Sequence, residues 1–131
     1  MADLSAVTSH NTFLALEDPA TGREIGLTLE IIPPDSEAIK MRMRQLLDRR
    51  KARAQRNQPV LTIEDERASL EICKTAVVGW QWTDDADGSS GNWGGEQPTF
   101  NPETLSEMLS RDWLREQVDR HLADAKSFFS K

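Results

Sequence analysis

Asp84, Asp85 and Asp87 stand just ahead of Gly88, a grouping of carboxylates that could ligate a calcium ion. An EF-hand loop needs acidic or amide ligands at its first, third and fifth positions, glycine at the sixth and glutamate at the twelfth. With Gly88 as sixth, Thr83 falls first and Gly94 twelfth, so the pattern fails at both ends. The stretch reads instead as a solvated acidic loop. Gly94-Gly95 leads into Glu96, not into the Gly-Lys-Ser or Gly-Lys-Thr that opens the helix of a phosphate-binding loop. His10 and His121 have no His, Cys or carboxylate neighbours at ligand spacing. Asp124, three residues after His121, is an ordinary pairing on a wet helix face. Cys73 falls on an apolar stripe, where a buried thiol is inert. There is no nucleophile–base pair and no Gly-x-Ser-x-Gly. The expectation is a protein that is not an enzyme, with no catalytic residue, cofactor or metal.

Charge carries more information than these candidates. Residues 40–56 hold eight basic side chains (Lys40, Arg42, Arg44, Arg49, Arg50, Lys51, Arg53, Arg56) and one acid, Asp48. That segment is +7 in a chain of net charge −6, so the remainder is −13. The run from Arg49 through Arg50 and Arg53 to Arg56 has three readings: a solvated helix face, a dock for an acidic protein surface (another copy included), or a phosphate contact. No aromatic residue is interleaved, and the rest of the chain is acidic, so nucleic acid ranks last.

The elements that must position these residues follow from periodicity. The 131 residues suffice for a single domain with one modest core. No apolar run is long enough for a membrane-spanning helix. Met1-Ala-Asp-Leu-Ser lacks the basic region and apolar core of a signal peptide. A single cysteine cannot form an internal disulfide, which suits a reducing cytoplasm. Residues 1–11 are expected to be a mobile lead-in, and 12–17 can be a strand. Asp18-Pro-Ala-Thr-Gly22 is a turn, because proline presets φ and glycine accepts φ > 0. Ile25, Leu27, Leu29 and Ile31 then alternate with Gly26, Thr28 and Glu30, so 12–32 is predicted to be a β-hairpin. A lone hairpin is marginal in water and must pack on helices or on another copy.

Pro33-Pro34 closes the strand, and Asp35 or Ser36 is placed to cap a helix over 35–57, striped by Ile39, Met43, Leu46 and Leu47. Past Leu47 the stripe fades into the arginine run, so the helix is expected to project from the body. Thr62 and Asp65 suit a capping box for a second helix over 62–79. Counting back from Trp80, Val77, Cys73, Leu70 and Ile63 keep to one helical face. Trp80 and Trp82 end this segment as core anchors, or one of them belongs to an exposed docking patch. Residues 84–98 are a flexible loop with four glycines and four acids in fifteen residues. Asn101-Pro102-Glu103 starts a helix over 102–110, and Leu114, Val118, Leu122, Ala125 and Phe129 stripe a last helix over 112–129. The fold class expected is mainly α, about four helices with an N-terminal β-hairpin: a small α+β single domain.

Three stretches, read together, resemble the tail assembly chaperones of long-tailed bacteriophages and prophages. They are residues 18–36 (Asp18-Pro-Ala-Thr-Gly-Arg-Glu-Ile-Gly-Leu-Thr-Leu-Glu-Ile-Ile-Pro-Pro-Asp-Ser36) with the arginine-rich helix after them, Ala76-Val-Val-Gly-Trp80, and Pro98-Thr-Phe-Asn-Pro-Glu-Thr-Leu-Ser-Glu-Met-Leu109 with Asp112-Trp-Leu-Arg-Glu-Gln-Val118 and Ser127-Phe-Phe129. The loop at 84–97 departs from the family by being longer and richer in glycine. The resemblance implies a non-enzymatic, largely helical, self-associating protein in the cytoplasm of the bacterial host cell. It implies binding to the tail tube and tape measure proteins during tail morphogenesis, and absence from the mature virion. It carries over no catalytic residue. Arg49, Arg50, Arg53, Arg56 and Trp93 are the partner-binding candidates. The alternatives are a structural tail or head–tail joining component of the virion and, behind it, a small nucleic-acid-binding regulator.

Overall fold

A computed structural model describes residues 7–55, 62–84 and 87–129, with the side chains of Arg53, residues 62–65 and Ala125 outside the description. Strands β1 (Thr12–Glu17) and β2 (Glu24–Ile31) form the expected hairpin. Its turn is fixed by two bonds to Asp18: Gly22 N–H donates to the carbonyl at 2.7 Å, and Ala20 N–H donates to the side chain at 2.8 Å. Gly22 adopts the left-handed conformation this closure requires, φ 72°. Helices α1 (Glu37–Gln55) and α2 (Thr62–Ala76) follow, then β3 (Val77–Trp82), α3 (Pro102–Leu109) and α4 (Asp112–Ala123). The three strands form one antiparallel sheet in the order β1-β2-β3.

The third strand corrects the sequence reading, which runs the second helix to residue 79. The helix stops at Ala76, whose carbonyl accepts from Ile32 N–H at 2.9 Å, and the chain continues directly as β3. Val77, Val78, Trp80 and Trp82 are β-branched or aromatic and prefer a pleated surface, and Gly79 is a poor helix former. Trp80 pairs with Leu29 and Trp82 with Leu27, so both indoles lie on the core face. A bulge between Glu30 and Ile31 lets Ile31 pair with Val77 and leaves Val78 as the extra residue, 40% exposed.

The core lies between one sheet face and the helices. The sheet contributes Leu16, Leu27, Leu29, Ile31 and Val77, and α1 contributes Ile39. Cys73 and Ala76 come from α2, Leu105, Met108 and Leu109 from α3, and Leu114 and Val118 from α4. Phe128 completes the cluster. The other sheet face carries Phe13, Thr28, Glu30, Gly79 and Gln81, and Phe13 there is 63% exposed.

Helix ends are set locally. Asn101 caps α3 as expected, its Oδ1 accepting from Thr104 N–H at 2.8 Å, with Pro102 in the first position. At α1 neither candidate side chain caps: Asp35 accepts from the Ser9 hydroxyl, and the buried Ser36 hydroxyl has no partner among the described residues. The predicted capping box at Thr62 and Asp65 lies outside the described side chains. The last helix is shorter than predicted. It breaks at Asp124 (φ −87°, ψ 74°), and residues 125–128 form a separate 3-10 turn. Ser127 returns both its N–H and its hydroxyl to the Asp124 carbonyl, stabilising the break. The offset places Phe128, not Phe129, in the core; Phe129 is 45% exposed.

Candidate protein-interaction surface

Helix α1 leaves much of its apolar stripe uncovered. Ile39 is buried and Leu46 half-buried, but Met41, Met43 and Leu47 are 56, 50 and 54% exposed. The stripe predicted from sequence is therefore real as a pattern and only partly covered. α2 lies alongside, held near its C-terminal end by Arg42 beside Glu71 at 3.8 Å. Arg49 and Arg50 project from α1 with their side chains exposed. Arg53 lies on the same helix, and Arg56 lies outside the described residues. Between the helices a groove of about 430 Å³ is lined by the apolar Met43, Leu46, Leu47, Ala68 and Ile72 and by the polar Arg50, Ser69 and, from α4, Asp119. The Asp119 carboxylate accepts from Ser69 Oγ at 2.7 Å and from Cys73 Sγ at 3.1 Å. Burial, followed by the adjacent Asp119, pushes the Cys73 thiol far above its usual range, so it stays protonated and unreactive.

Trp93 is not part of this arginine cluster. It sits half-buried against the core, with the Arg111 guanidinium 5.8 Å from its ring centroid. The surrounding cavity is lined by Gly94, Glu107, Ser110 and Arg111, residues of its own loop and of the α3–α4 corner. Trp93 and Glu96 exchange backbone bonds across Gly94-Gly95, both with positive φ, so the loop contains a miniature hairpin.

The loop is anchored at several further points. Thr83 N–H donates to the Gly26 carbonyl at 2.8 Å, and Gly91 N–H donates to the Thr83 carbonyl at 3.0 Å. Gln97 Nε2 donates to the Gly91 carbonyl at 2.8 Å. Arg23 reaches Asp87 at 2.8 Å from the hairpin turn. Trp80 Nε1 and Trp82 Nε1 both donate to the Pro98 carbonyl at 2.9 Å, and Phe100 packs edge-on against Trp80 at 4.9 Å. The two indoles thus serve as core anchors and fix the loop's return. Among the described residues no three His, Cys, Asp or Glu side chains converge as a metal site, and no helix is long and apolar enough to cross a membrane.

The outer edge of β1 is partly occupied from within. Gln117 of α4 takes both backbone groups of Glu17, accepting from its N–H at 2.9 Å and donating to its carbonyl at 2.7 Å. One helical turn on, His121 Nε2 is 2.6 Å from Thr12 Oγ1 at the other end of the strand. Burial lowers the His121 pKa, against a smaller upward pull from Asp124. His10 N–H donates to the Phe128 carbonyl, closing the lead-in onto the C-terminal turn. No single polar residue of α4 announces this clamp in sequence; only the i, i+4 spacing of Gln117 and His121 hints that they share a face. No protein-family model, curated protein or solved structure matches this chain.

Proposed function

We propose that the protein is a non-enzymatic tail assembly chaperone of the long-tailed phage and prophage kind. It holds tail tube and tape measure proteins in the bacterial cytoplasm during tail morphogenesis and is left out of the finished particle. The resemblance of residues 18–36, 76–80 and 98–109 with 112–118 and 127–129 suggests the class. The observation that carries the reading is the surface of α1, where Met41, Met43 and Leu47 remain half-exposed on the helix that bears Arg49 and Arg50. A protein that works by holding others needs apolar area open to a client, together with enough charge to stay dispersed. Burying that area, at about 25 cal/mol per Å², would supply the bulk of the attraction. Exposed ion pairs contribute only about 0–1 kcal/mol each, so the arginines set orientation and salt sensitivity.

The test is co-expression of the tagged chain with the tail tube and tape measure proteins of the same genome. Retention of either on the affinity column is the expected result. Retention of neither, with the chain found instead by mass spectrometry in purified particles, replaces this reading with that of a virion component.

A further inference from the structure

The groove between α1 and α2 has an apolar floor, a basic flank and no cover among the described residues. Met43 and Leu47 form one wall, Ala68 and Ile72 the other, and Leu46 lies between them. Met43 to Arg50 spans two helical turns, about 10 Å at roughly 1.5 Å per residue. A two-turn groove between antiparallel helices is the shape that accepts a third helix, whose apolar side chains at i, i+3 and i+4 drop between the two ridges.

We propose that this groove is a docking site for an amphipathic helix with acidic flanks contributed by another protein. Charge selects the occupant. Residues 40–56 carry +7; Arg50 lines the groove together with Asp119, which is engaged by Ser69 and Cys73, and Arg49 and Arg67 stand on the adjoining flank, where Glu71 is paired with Arg42. An incoming helix with glutamates or aspartates beside its apolar stripe meets complementary potential; a basic one is repelled. A second copy of this chain is a poor occupant for the same reason. The apolar faces of α3 and α4 are spent in their own core through Leu105, Met108, Leu109, Leu114 and Val118. The helix with an open apolar face is α1 itself, and pairing α1 with α1 would set one +7 segment against another. The docking site deepens the proposed function, since both rest on the apolar and basic surface of α1. It is tested with synthetic helices, so its failure and the failure of the client pull-down are separate results.

The experiment is fluorescence anisotropy of the full-length protein against two labelled synthetic peptides of the same leucine stripe, one flanked by glutamates and the other by lysines. The glutamate peptide is expected to bind at least tenfold more tightly than the lysine peptide and to weaken as salt rises. Leu47→Glu, at a half-exposed position, is expected to reduce that binding at least tenfold with an unchanged circular dichroism spectrum. Arg49→Glu with Arg50→Glu is expected to abolish the preference for the acidic peptide and to flatten the salt dependence. Equal binding of both peptides, binding that survives Leu47→Glu, or no binding of either peptide overturns the proposal. So does sedimentation showing that Leu47→Glu dissolves an oligomer, because the occupant would then be a second copy.

Discussion

Substituting Gly91 by alanine puts the packing of the loop on the sheet to a direct test. Gly26 and Gly91 are both buried and meet backbone to backbone. A Cβ on Gly91 would run into the Gly26 carbonyl oxygen, and one on Gly26 would lie 2.6 Å from the Gly91 Cα. Neither neighbour is the free end of a side chain. Gly26 sits in the middle strand, where Ala15 pairs with Thr28 but Glu17 with Glu24, so β2 bulges across residues 25–27. Its φ of +93° is the conformation such a bulge reserves for glycine. Two responses to Gly91→Ala are available. If the site absorbs the methyl, overpacking costs about 1–3 kcal/mol. If the loop lifts away, it loses the bonds linking Thr83 to Gly26, Gly91 to Thr83 and Gln97 to Gly91, about 0.5–1.5 kcal/mol each. The cheaper response wins, so Gly91→Ala is expected to lower stability by about 1–3 kcal/mol. Gly26→Ala adds backbone strain of about 1–2 kcal/mol and is expected to be the worse of the two.

Gly79→Ala is the control. A Cβ there meets nothing nearer than Glu30 Cβ at 3.9 Å, and alanine lowers the entropy of the unfolded chain, so the change is expected to be neutral or stabilising by up to about 1 kcal/mol. Urea unfolding followed by tryptophan fluorescence measures all three, with Trp93 and the Trp80–Trp82 pair reporting on the loop. A Gly91→Ala protein within about 0.5 kcal/mol of the parent, the usual range of surface changes, would refute the close-packed contact.

Phe128→Ala empties a fully buried position and is expected to cost about 3–5 kcal/mol, whereas Phe129→Ala is expected to stay within about 0.5 kcal/mol; thermal denaturation of the two variants decides between the broken C-terminal segment and a continuous helix. Because burial lowers the His121 pKa, the fold favours the neutral ring; its stability is complete above the unfolded value of 6.5 and declines as pH falls below that toward the folded value. Urea midpoints are therefore expected to fall more steeply below pH 6.5 in the parent than in His121→Gln, and parallel curves would remove His121 from the account.

Local signals carried the hairpin, its turn and the Asn101 cap, because each depends on residues within a few positions of one another. The third strand was hidden by a coincidence of periods. Trp80 follows Val77 by three residues and so extends the helical stripe of Cys73 and Leu70, yet Trp80 and Trp82 also alternate at the strand period. What settles the choice is β2, some fifty residues earlier, which offers Leu27 and Leu29 as cross-strand partners, and no local pattern encodes that pairing. One clue was available: a glycine at position 26 in an otherwise alternating strand marks a bulge or a close backbone approach, and here it is both. The Gln117 clamp left only the i, i+4 spacing to His121, because a polar side chain on a helix surface looks the same whether it meets water or a strand a hundred residues away. The arginines of α1 were legible as a charge run, and Met43 and Leu47 as a stripe. Their significance lies in what fails to cover them. Gln117 and His121 hold the two ends of β1, while Met41, Met43 and Leu47, three of the eight large apolar side chains left exposed among the described residues, share one helix with a positive flank. Recognition by helix packing with charge selection follows from that distribution more readily than strand addition at β1.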